Sequence, residues 1–166
     1  MRFIVIFAVA AVAIGAFVPT LFNPRSRPAT TANIAAPEPQ APAGSRTVSI
    51  RRASDGHFHT EASVDGRRVD MLVDTGASVI ALRERDAARL GIHPAARDYS
   101  AKISTANGVV LAARVELNRV EVGGITVRNV AAVVLPDEAL GKNLLGMSFL
   151  SKLRWEQRNG QLTLEQ

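Results

Sequence analysis

The sequence predicts a mostly β domain with one or two short helices, closed or sandwich-like, over residues 47–166 of the 166-residue chain. Three observations predict it. Short runs rich in β-branched residues recur along this stretch, with turn residues about every 8 to 12 positions. Asp-Gly, Asn-Gly and Gly-Gly pairs stand between those runs, where a tight hairpin needs positive φ. Helical composition is limited to one stretch near residue 85 and one near residue 150.

The elements follow in order. TVSIRR (47–52) alternates and stops at Ser54-Asp55-Gly56. HFHTEASV (57–64) and RRVDMLV (67–73) flank Asp65-Gly66, the strongest short hairpin signal. Val79 to Leu82 is a further short strand. RERDAARL (83–90) has helical composition, and Gly91 with Pro94 beyond it supplies the stop. Tyr99 to Ser104 and Val109 to Val122 are β-like on either side of Thr105-Ala106-Asn107-Gly108. Gly123-Gly124 turns the chain into ITVRNVAAVVL (125–135), and Pro136 to Leu140 fits one helical turn. LLGMSFLSKL (144–153) is short, apolar and helix-ending, and RWEQRNGQLTLEQ (154–166) is a final hairpin around Asn159-Gly160.

Two segments precede the domain. Phe3 to Val18 is a 16-residue run without a charged or polar side chain. With Pro19 to Phe22 as ragged interface, residues 1–22 just reach the roughly 17–25 residues of a membrane span. No clean small-x-small cleavage site follows, so an uncleaved anchor is favoured over a cleaved signal segment. Either places the later part of the chain outside the cytoplasm, which for an anchor means a single-pass inner-membrane protein with a periplasmic domain. Residues 23–46 are rich in proline, alanine and small polar side chains and bury almost nothing, as expected of an extended, flexible tether.

Composition excludes several functions. Cysteine is absent, which removes disulfide frameworks, thiol catalysis and cysteine-zinc sites. Four of the 20 basic and one of the 15 acidic residues precede Thr47, leaving the domain 16 and 14, net +2. The signs are interspersed, without the basic stripe of a nucleic-acid reader, so no nucleic-acid partner is expected. His57 and His59 lack a third ligand at convincing spacing and are read as exposed strand histidines; no metal or other cofactor is expected. Trp155 is read as a core or interface anchor. Ser78 and Ser104 have no evident histidine partner, which argues against a serine hydrolase.

The chemistry centres on VDTGAS, Val73 to Ser78. Asp74 ends the apolar strand Met71-Leu72-Val73, where a carboxylate at a strand tip can activate water. Thr75 can hold the loop through its hydroxyl, Gly76 lets two such loops pack together, and Ser78 is close enough in sequence to bond the loop. An ordinary turn would accept the same residues. Peptide hydrolysis by this route needs two Asp sharing one proton. The chain has one Asp-Thr-Gly, and its other Asp residues lack similar flanks, so a second Asp74 would come from a two-fold dimer.

These residues resemble the active-site signature of the retroviral-type (retropepsin-like) aspartic proteases, especially their bacterial membrane-anchored relatives. The resemblance spans about Thr47 to Leu164. VDTGAS carries it, with STANG (104–108) at the spacing of that family's flap hairpin and NLLGMSFL (143–150) similar to the apolar-apolar-Gly segment before its C-terminal helix. It implies a homodimer of small closed β-barrels, with Asp74 as the catalytic residue of each. Thr75, Gly76 and Ser78 would support the catalytic loop, and Thr105, Ala106, Asn107 and Gly108 would form the substrate flap. No cofactor is implied. The C-terminal hairpin, Arg154 to Glu165, is longer than in compact viral enzymes, which implies a differently built dimer interface, and the flap lacks an obvious aromatic. The expected function is an endopeptidase acting on a protein or peptide near the membrane. The alternatives are a non-catalytic peptide-binding or scaffold module with the same barrel, and a structural envelope protein whose Asp-Thr-Gly is a turn.

Overall fold

Three two-residue turns set the hairpins. The computed structural model describes residues 45–105 and 108–166. In it Asp65-Gly66 (φ 50° and 87°), Gly123-Gly124 (55° and 90°) and Asn159-Gly160 (47° and 73°) all take the left-handed pair of a type I′ turn. They join β2 (His59–Val64) to β3 (Arg67–Val73), β6 (Gly108–Val122) to β7 (Ile125–Leu135), and β9 (Arg154–Arg158) to β10 (Gln161–Glu165). The remaining strands are β1 (Thr47–Arg51), β4 (Ile80–Arg83), β5 (Tyr99–Thr105) and β8 (Asn143–Leu145). The helices are α1 (Glu84–Arg89) and α2 (Met147–Leu150), with 3-10 turns at Ala96–Asp98 and Asp137–Ala139.

Six strands close a barrel in the order β2-β3-β8-β4-β7-β6, with β6 returning to β2 through Ser63↔Glu121 and Val64↔Val120. The β3–β8 and β4–β7 pairings are parallel and the others antiparallel. β5 lies outside the ring, paired with the first half of β6 as a projecting hairpin. A separate antiparallel sheet runs β1-β10-β9.

The barrel interior is apolar. Ile80, Leu82, Leu117, Val120, Ile125, Val134, Leu145 and Phe149 are fully buried. Burying a side chain of the size of Phe149 contributes about 1.5–3 kcal/mol. Closure leaves the ring without a sheet edge, so the open edges belong to β5 and to the β1-β10-β9 sheet.

Element boundaries differ from the expected ones in small ways. β2 begins at His59, and His57 lies in the preceding bend. The Asp55 carboxylate accepts from the His57 backbone N–H (3.0 Å) and meets His59 Nε2 (2.7 Å), so His59 is held by a carboxylate. Arg83 ends β4 instead of opening the helix. Trp155 is not a core residue: it is 41% exposed on β9, whose five residues are all exposed. The expected apolar segment 1–22 and nearly all of the expected tether 23–46 fall outside the described residues, as do Ala106 and Asn107. Among the described residues no helix is long and apolar enough to cross a membrane.

Candidate active site

β3 runs through the wall of the barrel and stops at Val73, which puts Asp74 at its tip. β8 lies parallel to β3 and extends the ladder by one bond, from the Asp74 N–H to the Leu145 carbonyl (3.1 Å). The loop then turns tightly, with the Ala77 N–H donating to the Asp74 carbonyl (3.3 Å). The Asp74 carboxylate folds over this turn, where its Oδ1 accepts the Gly76 N–H at 2.8 Å. A Cβ at Gly76 would stand 3.1 Å from that oxygen, so glycine keeps the carboxylate's seat open. Asp74 is half-buried, while Thr75 and Gly76 at the tip are exposed. One carboxylate orientation is therefore fixed by the backbone, and the loop presents its apex outward.

The support comes from the segment after β8. Gly146 lies against the loop so closely that a Cβ there would be 2.3 Å from the Val79 carbonyl oxygen and 2.7 Å from that of Ala77. The next residue, Met147, donates its N–H to the Ala77 carbonyl at 2.8 Å. Ser148 then bridges two strands: its hydroxyl accepts the Ile80 N–H (3.1 Å) and donates to the Ala131 carbonyl (2.8 Å). The side-chain hydroxyl that fixes the loop's exit is thus that of Ser148, whereas Ser78 is exposed at the surface. The sequence pointed to Ser78 as a support of the loop and did not single out Ser148. The only signal for Ser148 was its position two residues after the close-packed Gly146.

Below the loop sits a polar cluster that sequence reading did not single out. Asp86, within the helical stretch 83–90, is 5% exposed. Its Oδ2 accepts from Arg83 Nε and Nη2 (2.8 and 2.6 Å) and from Asn143 Nδ2 (2.9 Å), and Oδ1 meets Arg89 Nη1 at 3.3 Å. Asn143 also accepts the Arg83 N–H (2.8 Å) and donates to the Asp70 carbonyl (3.1 Å). This ties α1 and β4 to β8 and β3, the two strands that lead into the loop and its support. Burial by itself raises the Asp86 carboxyl; the Asn143 amide and the Arg83 guanidinium outweigh it and hold the carboxyl below the usual range. A cavity of about 770 Å³ opens over this cluster, lined by Arg68, Asp70, Arg83, Asp86, Arg89 and Asn143 among others. Asp74 does not line it, and its central charges already pair within the chain.

The β5–β6 hairpin projects where the flap was expected. Thr105 Oγ1 donates to the Gly108 carbonyl at 2.9 Å across its tip, and Gly108 has φ 114°. Val109 and Leu111, 68% and 49% exposed, give the hairpin an uncovered apolar side. At its base Tyr99 donates to Glu84 Oε1 (3.1 Å); burial and that carboxylate push the phenol up to about 12.

Comparisons with known proteins bear on this geometry. The model of the gag-polyprotein putative aspartyl protease family matches residues 60–152, which include the loop, the hairpin and the Gly146 support. A retropepsin-like aspartic protease from Rickettsia conorii superposes with a TM-score of 0.65 at 36% identity, over 73% of this chain and 91% of that one. An uncharacterized protein in the cobV 5′ region of Sinorhizobium sp is 46% identical over 110 residues, 66% of this chain and 47% of that protein. The uncharacterized protein RP867 of Rickettsia prowazekii (strain Madrid E) is 38% identical over 110 residues, 64% of this chain and 46% of that protein. The chain thus spans about half the length of these two curated relatives.

Proposed function

Because the chain belongs to the retropepsin-like family of the gag-polyprotein putative aspartyl proteases, we propose that it is an aspartic endopeptidase, active as a homodimer with Asp74 of each copy at the shared site. The observation that carries this reading is the Asp74 loop: a carboxylate seated on the Gly76 N–H at 2.8 Å, at the tip of a barrel strand, with Thr75 and Gly76 exposed beside it. A two-fold axis past that apex brings two carboxylates together, and Thr75 of each copy bonds across the axis.

Two carboxylates about 3 Å apart cannot both ionise, so the pair keeps one proton. The ionised member takes a proton from a water molecule held between them. The protonated member donates to the scissile carbonyl oxygen while the water oxygen attacks the carbonyl carbon. Proton transfer to the amide nitrogen then breaks the C–N bond, releasing an amine and a carboxylic acid. The β5–β6 hairpin, Thr105 to Gly108 at its tip, closes over an extended peptide and pairs with it as a strand. The Asp86 cluster holds the β3 and β8 ends in place. The substrate is a protein or peptide near the inner membrane, reached from the periplasmic side by a domain tethered through residues 1–46.

The test is cleavage of a mixed peptide library by the full chain from pH 4 to 8 over a range of protein concentrations. The reading expects specific activity that rises with concentration until dimerisation saturates. An inert protein at concentrations where dimers are demonstrated would move the chain to the binding-module class.

A further inference from the structure

One side chain pins the base of the β5–β6 hairpin. We propose that Tyr99 is a positioning residue for the Asp74 site: its hydroxyl, donated to Glu84 at the start of α1, holds the hairpin at the angle from which it closes over an extended substrate. The consequence for cleavage rests on the protease reading above; the anchoring of the hairpin does not.

The local sequence builds a bend just beyond Tyr99. Asp98 ends a 3-10 turn, where its carboxylate accepts the Ala95 N–H at 2.7 Å and its own N–H donates to the Ala95 carbonyl at 2.8 Å. The Tyr99 N–H donates to the Ala96 carbonyl, so the chain enters β5 from a closed turn. Along β5, Tyr99 faces Ala113 and Ala101 faces Ala112, which leaves Ser100 as an extra residue on one strand. A bulge of this kind bends its strand and re-aims the side chains beside it. On β6, pairing with β7 begins at Ala113. Residues 101–105 and 108–112 therefore pair in the ladder only with each other, and the hairpin leaves the barrel at Tyr99 and Ala113.

Tyr99 holds that pivot. Its ring is half-buried against the main core, and its hydroxyl reaches Glu84 Oε1 at 3.1 Å. Burial and the Glu84 carboxylate push the phenol up to about 12, so the hydroxyl keeps its proton at neutral pH and donates. Ala113, opposite on β6, brings no polar group to the same place.

The acceptor stands at a junction. Three successive residues of α1 reach three different parts of the fold. Glu84 takes the Tyr99 hydroxyl. Arg85 donates its N–H to the Asp137 carboxylate (3.3 Å) in the turn after β7. Asp86 is bonded to Asn143 on β8 (2.9 Å), and β8 leads into the Gly146 support of the Asp74 loop. The base of the hairpin is thus tied through one short helix to the strand behind the loop. Further out, Ile103 and Val110 are cross-strand partners and pack, with Leu144, against the buried cluster around Ala81 and Val133. That apolar contact parts when the hairpin lifts, whereas the Tyr99–Glu84 bond lies at the pivot. Without the bond the closed hairpin is less populated, and substrate affinity falls by the same fraction.

The chain has no cysteine, so Ser104→Cys, on the exposed face of β5, takes a nitroxide spin label at one place. Electron paramagnetic resonance of the labelled full chain reports hairpin motion whether or not the protein cleaves peptide; kinetics are measured on the cysteine-free forms. Tyr99→Phe keeps the ring and removes only the hydroxyl. The proposal expects it to raise the mobile fraction of the label about threefold, and KM by about the same factor, with kcat within about twofold of wild type. Glu84→Ala, at an exposed position, should reproduce both changes, and Glu84→Gln, whose amide oxygen still accepts, should behave as wild type. Loss of stability alone would lower the amount of active protein, and so the apparent kcat, without raising KM. Unchanged mobility in Tyr99→Phe and Glu84→Ala would overturn the proposal, as would a Glu84→Gln protein as mobile as Glu84→Ala, or raised mobility with KM unchanged. Normal cleavage with unchanged mobility would leave the protease reading standing and remove Tyr99 from it. Raised mobility in a chain whose wild type cleaves nothing would support the anchoring and count against the protease reading.

Discussion

Replacing Gly146 by alanine tests whether the Asp74 loop is held from behind in the way described. The added methyl carbon would lie 2.3 Å from the Val79 carbonyl oxygen and 2.7 Å from that of Ala77. The first distance is about 1 Å inside the closest ordinary carbon–oxygen approach of about 3.3 Å. Both obstacles are backbone, so no side chain can swing away. The loop must retreat, and it takes the Ala77 carbonyl out of reach of the Met147 N–H, now at 2.8 Å. Overpacking of this kind costs about 1–3 kcal/mol, and the lost backbone bond about 1 kcal/mol more. At about 4 °C per kcal/mol for a domain of this size, Tm should fall by roughly 10 °C in a circular-dichroism melt. Peptide cleavage should fall further than the population of folded protein explains, because Asp74 moves with the loop. A Gly146→Ala protein that melts within about 2 °C of wild type and cleaves normally would refute the reasoning.

Asp86→Ala should cost about 3 kcal/mol in urea unfolding, since it strands the largely buried Arg83 guanidinium. The Asp86 carboxyl is held below its ordinary 3.8, so its contribution is complete above about pH 4 and is lost as pH falls through the folded-state value. The acid limb of the wild-type stability profile should therefore be steeper than that of the variant. Ser148→Ala removes the bridge between the Ile80 N–H and the Ala131 carbonyl and should cost about 1–2 kcal/mol in the same assay. Tyr99, the one tyrosine of the chain, should ionise with a midpoint near 12 in an ultraviolet titration of the folded protein. Its folded-state value lies above the ordinary 10.0, so stability should decline between about pH 10 and pH 12; a midpoint at 10 in folded protein would contradict the Tyr99–Glu84 contact.

Local chemistry made most of the fold legible. Asp65-Gly66, Gly123-Gly124 and Asn159-Gly160 each mark a hairpin because few residue pairs accept two successive positive φ angles, and the runs between them are the strands observed. The Asp74 loop was legible for the same reason, as an apolar strand ending on a residue set that closes a tight turn. What sequence reading missed depends on partners far apart along the chain. Arg83 and Arg89 lie three residues either side of Asp86, but the amide that completes its buried seat comes from Asn143 on β8, 57 residues away. Ser148 looks no different from Ser78 until β4 and β7 are seen to pass on either side of it. The parallel pairings β3–β8 and β4–β7 join segments about 50 to 70 residues apart, and they bring Gly146 behind the loop. Trp155 reads as an anchor from composition alone, and only the sheet order shows that it stands on an open edge.

The central claim is that two copies of Asp74 do the chemistry, and Asp74→Asn tests it most directly. The amide is nearly isosteric, and its oxygen can still accept the Gly76 N–H bond. Wild type and variant are compared at equal dimer concentration on the same peptide library, with unfolding curves confirming equal stability within about 1 kcal/mol. The account predicts cleavage by the wild type and none above background by the variant. Cleavage by a folded Asp74→Asn protein at a rate comparable to wild type would contradict it.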